Sequence, residues 1–236
     1  MRGLGTVVNV VAVALGTLAG VVLGARIPDR IRATALQVVG LTTLVIGMKE
    51  ALGTRNVVFP LVALILGGVI GELLRIEHRL EGVGERIRSR LESNREGGRP
   101  PTRFVEGFVA ASVLFCVGPL TVLGSIRDGL GGPDHAQLLL VKSALDGLVA
   151  VVFASTLGWG VGFSVLTIAV VQGILTLGAG AADSLLTTRM VTEMTAAGGV
   201  MILGIGLRLL ELKHVRVASL LPALLLAPLL VALFAR

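Results

Sequence analysis

Long apolar runs, separated by short polar connections, account for almost the whole chain. Eight of them approach the length of a membrane crossing: residues 5–24, 34–52, 56–74, 104–124, 137–157, 161–180, 191–210 and 217–235. A helix needs roughly 20 apolar residues to span a hydrocarbon core. Backbone groups in lipid must also be satisfied within the segment, which selects helices. The pattern therefore predicts an all-α fold, a polytopic transmembrane bundle of about eight spans. The connection at Thr156–Gly160 is very short, so seven spans plus a re-entrant segment is the alternative. One polar stretch, Arg75–Arg103, interrupts the series. Within it Ile76, Leu80, Val83, Ile87 and Leu91 recur at helical spacing among Arg and Glu, the signature of an amphipathic helix. It could lie on a surface of anionic lipids or meet a partner protein. Gly97–Gly98 and Pro100–Pro101 then break the structure. The resulting organisation is a first helical unit (1–74), a linker (75–103), a central helix pair (104–157) and a second helical unit (158–236).

Composition agrees with this class. Hydrophobic residues make up 54% of the 236 and charged residues 15%, proportions that no ordinary soluble domain matches. The apolar stretch after Arg2 lacks an A-x-A-like cleavage site and reads as the first membrane helix. The single cysteine, Cys116, excludes an intrachain disulfide. His78, His135 and His214 fall in separate connections, which argues against a metal cluster. Trp159 is the only tryptophan and tyrosine is absent, so aromatic belts do not mark the boundaries. Basic residues do. With the N-terminus outside, the cytoplasmic side holds Arg26, Arg30, Arg32, the eight arginines from Arg75 to Arg103, Arg208, Lys213 and Arg216. The outer side holds only Arg2, Lys49, Arg55, Arg127, Arg189 and Arg236. That bias orients the chain with the linker in the cytoplasm. It also explains the net charge of +6 without nucleic acid.

Two features concern how the spans pack. Gly40-Leu-Thr-Thr-Leu-Val-Ile-Gly-Met-Lys49 aligns with Gly199-Val-Met-Ile-Leu-Gly-Ile-Gly-Leu-Arg208, with an echo at Gly118–Arg127. Spans 1–3 then match spans 6–8 in order but with opposite orientation, as in the inverted repeats of secondary transporters. The bland alternative is that all Gly/Leu/Val-rich helices look alike. Ala12, Gly16, Gly20 and Gly24 form a small-xxx-small seam on one face of span 1, suited to a contact within the chain or to a homodimer. Gly67, Gly68 and Gly71 do the same in span 3. The glycine-dense Gly173–Gly180 predicts a helix that ends or unwinds early.

Candidate chemistry rests on polar residues inside spans. Lys142 and Asp146, four apart, share a helix face. Asp146 is near mid-span, where a charge costs at least about 2.5–3.5 kcal/mol and must face protein or a wet cavity. The pair either locks helix packing or forms a substrate or proton site, with the Ser143 hydroxyl beside it. Glu193, flanked by Thr192 and Thr195, opens span 7. It either complements the helix dipole or binds a cation or amine. Glu106 occupies the equivalent turn of span 4. Glu72 lies three residues before Arg75 and suits a surface ion pair. Asn9 and Gln172 are the pattern of interhelical hydrogen-bond glue. No P-loop, dinucleotide-binding fingerprint, H-E-x-x-H or G-x-S-x-G occurs, so neither an enzyme nor a cofactor is expected.

Several motifs together carry a family resemblance: Gly5-Thr-Val-Val-Asn9, Gly67-Gly-Val-Ile-Gly-Glu72, Phe104-Val-Glu-Gly-Phe108 running into Ala111-Ser-Val-Leu-Phe-Cys-Val-Gly118, Lys142-Ser-Ala-Leu-Asp-Gly147, Thr192-Glu-Met-Thr195 with Gly198–Gly199, and Leu221-Pro-Ala223. The chain resembles the bacterial membrane proteins grouped as domain-of-unknown-function family 554 (the YdfK/YqgA-like group). The resemblance implies a polytopic inner-membrane protein of the kind labelled a transport protein, and it supplies no substrate and no catalytic residues. With the polar spans, it makes a secondary transporter of a small solute or ion the leading expectation, with membrane lipids as its surroundings. An ion channel and a non-transporting structural or assembly protein are the alternatives.

Overall fold

A computed structural model describes residues 2–26, 28–79, 82, 104–116, 118–131 and 135–234. Most of the linker expected at 75–103 lies outside these. Among the described residues every regular element is helical: α1 (Leu4–Gly24), α2 (Asp29–Ala51), α3 (Val58–Leu73), α4 (Phe104–Cys116), α5 (Pro119–Leu130), α6 (Gln137–Leu157), α7 (Gly160–Leu177), α8 (Ala179–Leu185), α9 (Thr188–Leu209), a 3-10 turn (Val217–Leu220) and α10 (Ala223–Phe234).

The helices are inside-out by the standard of a soluble protein. On α1 the exposed side carries Val7, Val11, Leu15, Leu18 and Val22, while Gly5, Asn9, Val13, Gly16, Gly20 and Gly24 face inward. Helices in lipid gain nothing from hiding apolar surface from one another. They associate where small side chains let backbones approach. Five helical segments are long and apolar enough to cross a membrane: α1, α6, α7, α9 and Val217–Phe234. The bent pair α4–α5 makes a sixth if it is counted as one span. Two of the eight expected spans fall short of that standard. α3 has only 16 residues. The 23 residues of α2 include Gln37, Thr42, Thr43, Lys49 and Glu50, which lower its hydropathy.

Span 4 also differs from its expected form. It breaks after Cys116, and α5 leaves at 60° to α4. Pro119 has no N–H to continue the ladder and sits where a helix can start, at its first turn. The connection after α6 is a tight turn through Gly158, whose φ of 77° favours glycine. α7 therefore starts as a separate helix. The early end foreseen at Gly173–Gly180 is real, since α7 stops at Leu177 and α8 follows.

Packing pairs helices that are distant in sequence. α1 lies along α6: a Cβ at Gly16, Gly20 or Gly24 would overlap the carbonyl oxygens of Gly147, Val151 and Ser155 in turn. The seam expected to serve either a homodimer or the chain itself is packed against α6, a contact within the chain. Gly47 and Gly206 of α2 and α9 sit against Leu203 and Leu44, and Gly199 against Ala51, so these helices run antiparallel. Gly67 faces Ala223 and Gly71 faces Ser219, which makes α3 antiparallel to the last segment. Thr6 meets Thr176, and Gly162 meets Thr17, so α1 and α7 are antiparallel as well.

Candidate functional site

Lys142 and Asp146 form the ion pair that their spacing predicts, in direct contact and only 6% and 8% exposed. A third group comes from another helix: Asn9 of α1 donates its Nδ2 hydrogen to Asp146 Oδ2 at 3.1 Å. The glycine seam brings this about, because it lets α1 approach α6 closely enough for a short amide to reach the carboxylate. Asn9 is therefore the interhelical glue expected, but its partner is the charged pair itself. Lys142 Nζ also lies 5.9 Å from the centre of the Phe115 ring, at the end of α4. The break in span 4 accordingly adjoins the pair. Two carbonyls beside this break have partners. Thr121 Oγ1 donates to Phe115 O at 3.0 Å, and the Thr121 and Val122 N–H groups donate to Gly118 O. Ser143 turns back on its own helix, donating to Leu139 O at 2.6 Å, so its hydroxyl is not offered to the pair.

Glu193 is not brought to this site. It is fully buried and closes the turn between α2 and α3, accepting from Thr54 Oγ1 (2.5 Å) and from the N–H groups of Arg55 (2.9 Å) and Asn56 (3.3 Å). Its carboxylate thus meets backbone donors ahead of α3, where negative charge is favoured. Thr192 donates to Thr188 O, and Thr195 Oγ1 is buried without a partner among the described residues. Glu193→Ala removes the shared acceptor of three donors in a turn whose residues are partly or fully exposed, and should destabilise the protein by about 0.5–1.5 kcal/mol. Urea or thermal unfolding in detergent would measure this, while Glu193→Gln should recover part of the loss.

Glu106 and Glu72 take part in a third cluster, at the end of the bundle where α9 finishes. Arg208 reaches Glu77 (2.8 Å) and Glu106 (3.2 Å), and Glu77 accepts the Ala218 N–H at the start of the 3-10 turn (2.8 Å). A shallow cleft lined by Glu106, Val109, Ile205, Arg208, Leu209 and Val217 opens there. Glu72 does form a surface ion pair, but with Arg216 (2.8 Å) instead of Arg75. Gln172 is fully buried, and both its amide atoms lack partners among the described residues.

Two structurally important carboxylates escaped sequence reasoning. Glu77 was hidden among the many charges of the linker. Asp128 is fully buried at the end of α5 and accepts the Thr6 N–H near the start of α1 at 3.2 Å. A signal for it existed: an acidic group in a last helical turn opposes the dipole, so it implies a partner elsewhere. Among the described residues no group of three His, Cys, Asp or Glu side chains could hold a metal ion.

The family described as "Protein of unknown function (DUF554)" matches residues 4–232. The Escherichia coli K12 protein "Uncharacterized protein YqgA" is 32% identical over 226 residues, covering 95% of this chain and 94% of its own. "Uncharacterized membrane protein YdfK" of Bacillus subtilis 168 is 29% identical over 231 residues, covering 96% and 95%. No solved structure matches. With five helical segments fit to cross a bilayer, six if the bent pair is one span, and a family match over almost its whole length, the chain is a membrane protein belonging to the DUF554 family.

Proposed function

We propose that this protein is a secondary transporter of a small solute or ion, and that its working site is the group Asn9, Lys142 and Asp146 beside the broken span α4–α5. The observation that carries this reading is a buried ion pair, held from a second helix, adjoining a membrane helix broken at Gly118–Pro119. Intramembrane charges are costly and characteristically mark substrate or ion paths. Discontinuous helices line such sites in secondary transporters.

The antiparallel pairings support an inverted repeat as its framework. Spans 1, 2 and 3 each lie against their expected counterparts, spans 6, 7 and 8, as an axis in the membrane plane would arrange them. In this reading the N-terminus faces outward and the Arg208 end faces the cytoplasm of a bacterial inner membrane, as the basic residues require. Asp146 and Lys142 hold each other in the occluded state, and binding of a substrate or proton releases one from the other, shifting the balance between two access states. Glu193, Thr192 and Thr195 belong to the frame and not to the ligand shell. Purified protein in proteoliposomes, screened with small inorganic cations, amines and carboxylates, should give a flux that Asp146→Asn abolishes. A flux left intact by Asp146→Asn would remove the pair from the mechanism.

A further inference from the structure

A line of buried polar side chains leads away from Asp146 toward the end of the bundle where α1 begins. Thr6 and Asn9 are one turn apart on the same face of α1. Thr176 and Gln172 are likewise one turn apart on α7, and the two helices run antiparallel. The Thr6 and Thr176 hydroxyls are 3.1 Å apart. The helical register therefore sets Asn9 and Gln172 opposite each other one turn deeper. α5 flanks both helices: Thr176 Oγ1 donates to Ser125 O at 3.2 Å, and Asp128 Oδ2 accepts the Thr6 N–H. Beyond Asp128 comes His135, whose Nε2 is 3.9 Å from Asp128 Oδ1 and whose side chain is 20% exposed.

Asn9, Gln172, Ser125 and Asp128 are each 0% exposed. Yet Asn9 Oδ1, Gln172 Oε1 and Nε2, Ser125 Oγ and Asp128 Oδ1 all lack hydrogen-bond partners among the described residues. An unpaired buried polar atom costs about 1–3 kcal/mol, and five in one strip cannot stay unpaired in a stable fold. Apolar side chains or ions of one sign could not satisfy this mixture of donors and acceptors. Water can, since each buried molecule typically makes about three hydrogen bonds to such groups.

We propose that α1, α5 and α7 enclose a file of water molecules running from His135 and Asp128, past Ser125, Thr176 and Gln172, to Asn9 and Asp146, and that it delivers protons to Asp146. A proton arriving from bulk water adds to the Asp146 carboxylate, giving the neutral acid. Lys142 keeps its ammonium, so the charge of the pair rises from zero to +1. Among the described residues, the titratable groups facing Asp146 are Lys142 on its own helix and the Cys116 thiol on α4. The purpose of the path deepens the transporter reading and rests on it, whereas its existence does not.

Radiolytic hydroxyl-radical footprinting detects water held beside a cysteine. In a Cys116→Ala background in lipid nanodiscs, Ser125→Cys, Thr176→Cys and Gln172→Cys would be compared with Ile202→Cys in the dry core and Ile174→Cys on the lipid face. Path positions, held beside ordered water, should oxidise clearly faster than both controls. The first two replacements are nearly isosteric, so the test survives if Gln172→Cys fails to fold. Oxidation at the rate of the controls would overturn the path and leave transport by another access route open. Rapid oxidation with no flux of any screened solute would keep the path and overturn the transporter reading, and rapid oxidation with flux unaffected by Asp146→Asn would overturn the delivery of protons to Asp146.

Discussion

Asp146→Leu, with Lys142 retained, should destabilise the folded protein by about 3–5 kcal/mol, because it leaves an ammonium buried with no counter-charge. Lys142→Met should have an effect of the same kind, leaving the Asp146 carboxylate with only the Asn9 amide. The double variant Lys142→Met/Asp146→Leu is expected to fold nearly as well as the wild type. Replacing a buried pair by apolar groups of similar size is often neutral, since it removes both desolvation costs along with the attraction. Chemical unfolding in detergent, run as a double-mutant cycle, measures all three. The cycle also separates the two meanings of the pair. If the double variant is stable but inactive, the pair exists for transport. If it is stable and keeps the cellular phenotype, the pair only locks α1 to α6 and the protein is structural. A double variant as unstable as either single one would contradict the account of the pair given above.

Gly20→Leu should prevent α1 from docking, leaving little folded monomer on size-exclusion chromatography. A Cβ at this position already overlaps the Val151 carbonyl oxygen and approaches Ala154 Cβ to 2.9 Å. The obstruction on one side is backbone, so no rotamer change relieves it. Overpacking costs typically about 1–3 kcal/mol where neighbours can shift, and here the helices themselves must part. Separation also breaks the Asn9–Asp146 hydrogen bond, because the amide is short. Gly20→Ala should lose less, with a measurable fall in thermal midpoint. As a control, Gly173→Ala should be silent, because a Cβ there meets nothing within 4 Å. A Gly20→Leu protein that purifies and unfolds like the wild type would mean that α1 does not lie on α6 as described.

Much of this was legible in the residues themselves. Hydropathy located α1, α6, α7 and α9 to within a few residues, because a lipid-facing helix must be apolar along its length. The four-residue spacing of Lys142 and Asp146 fixed their contact without any tertiary information, and mid-span depth required that it be buried. Span 4 was read straight through its break, because the sequence is apolar on both sides of Gly118–Pro119 and hydropathy averages over the interruption. Glu193 was assigned to the wrong company for a different reason. Which helix faces which depends on backbone fit at glycines such as Gly47 and Gly199, and a hydropathy pattern holds no record of it. Asp128 and Glu77 were missed because each serves an element far away in sequence, the start of α1 and the 3-10 turn.

The pairing of α1 with α6 has a consequence for how the protein is made. Asn9 and Asp146 are 137 positions apart. At about 5–20 residues per second, synthesis delivers the second roughly 7–27 seconds after the first. For that interval the glycine seam of α1 has no backbone to meet and its amide no carboxylate. The nascent first helix must therefore be stored, in lipid or beside the insertion machinery, until its true neighbour emerges. Membrane entry and helix docking are thus separate events in the life of this chain.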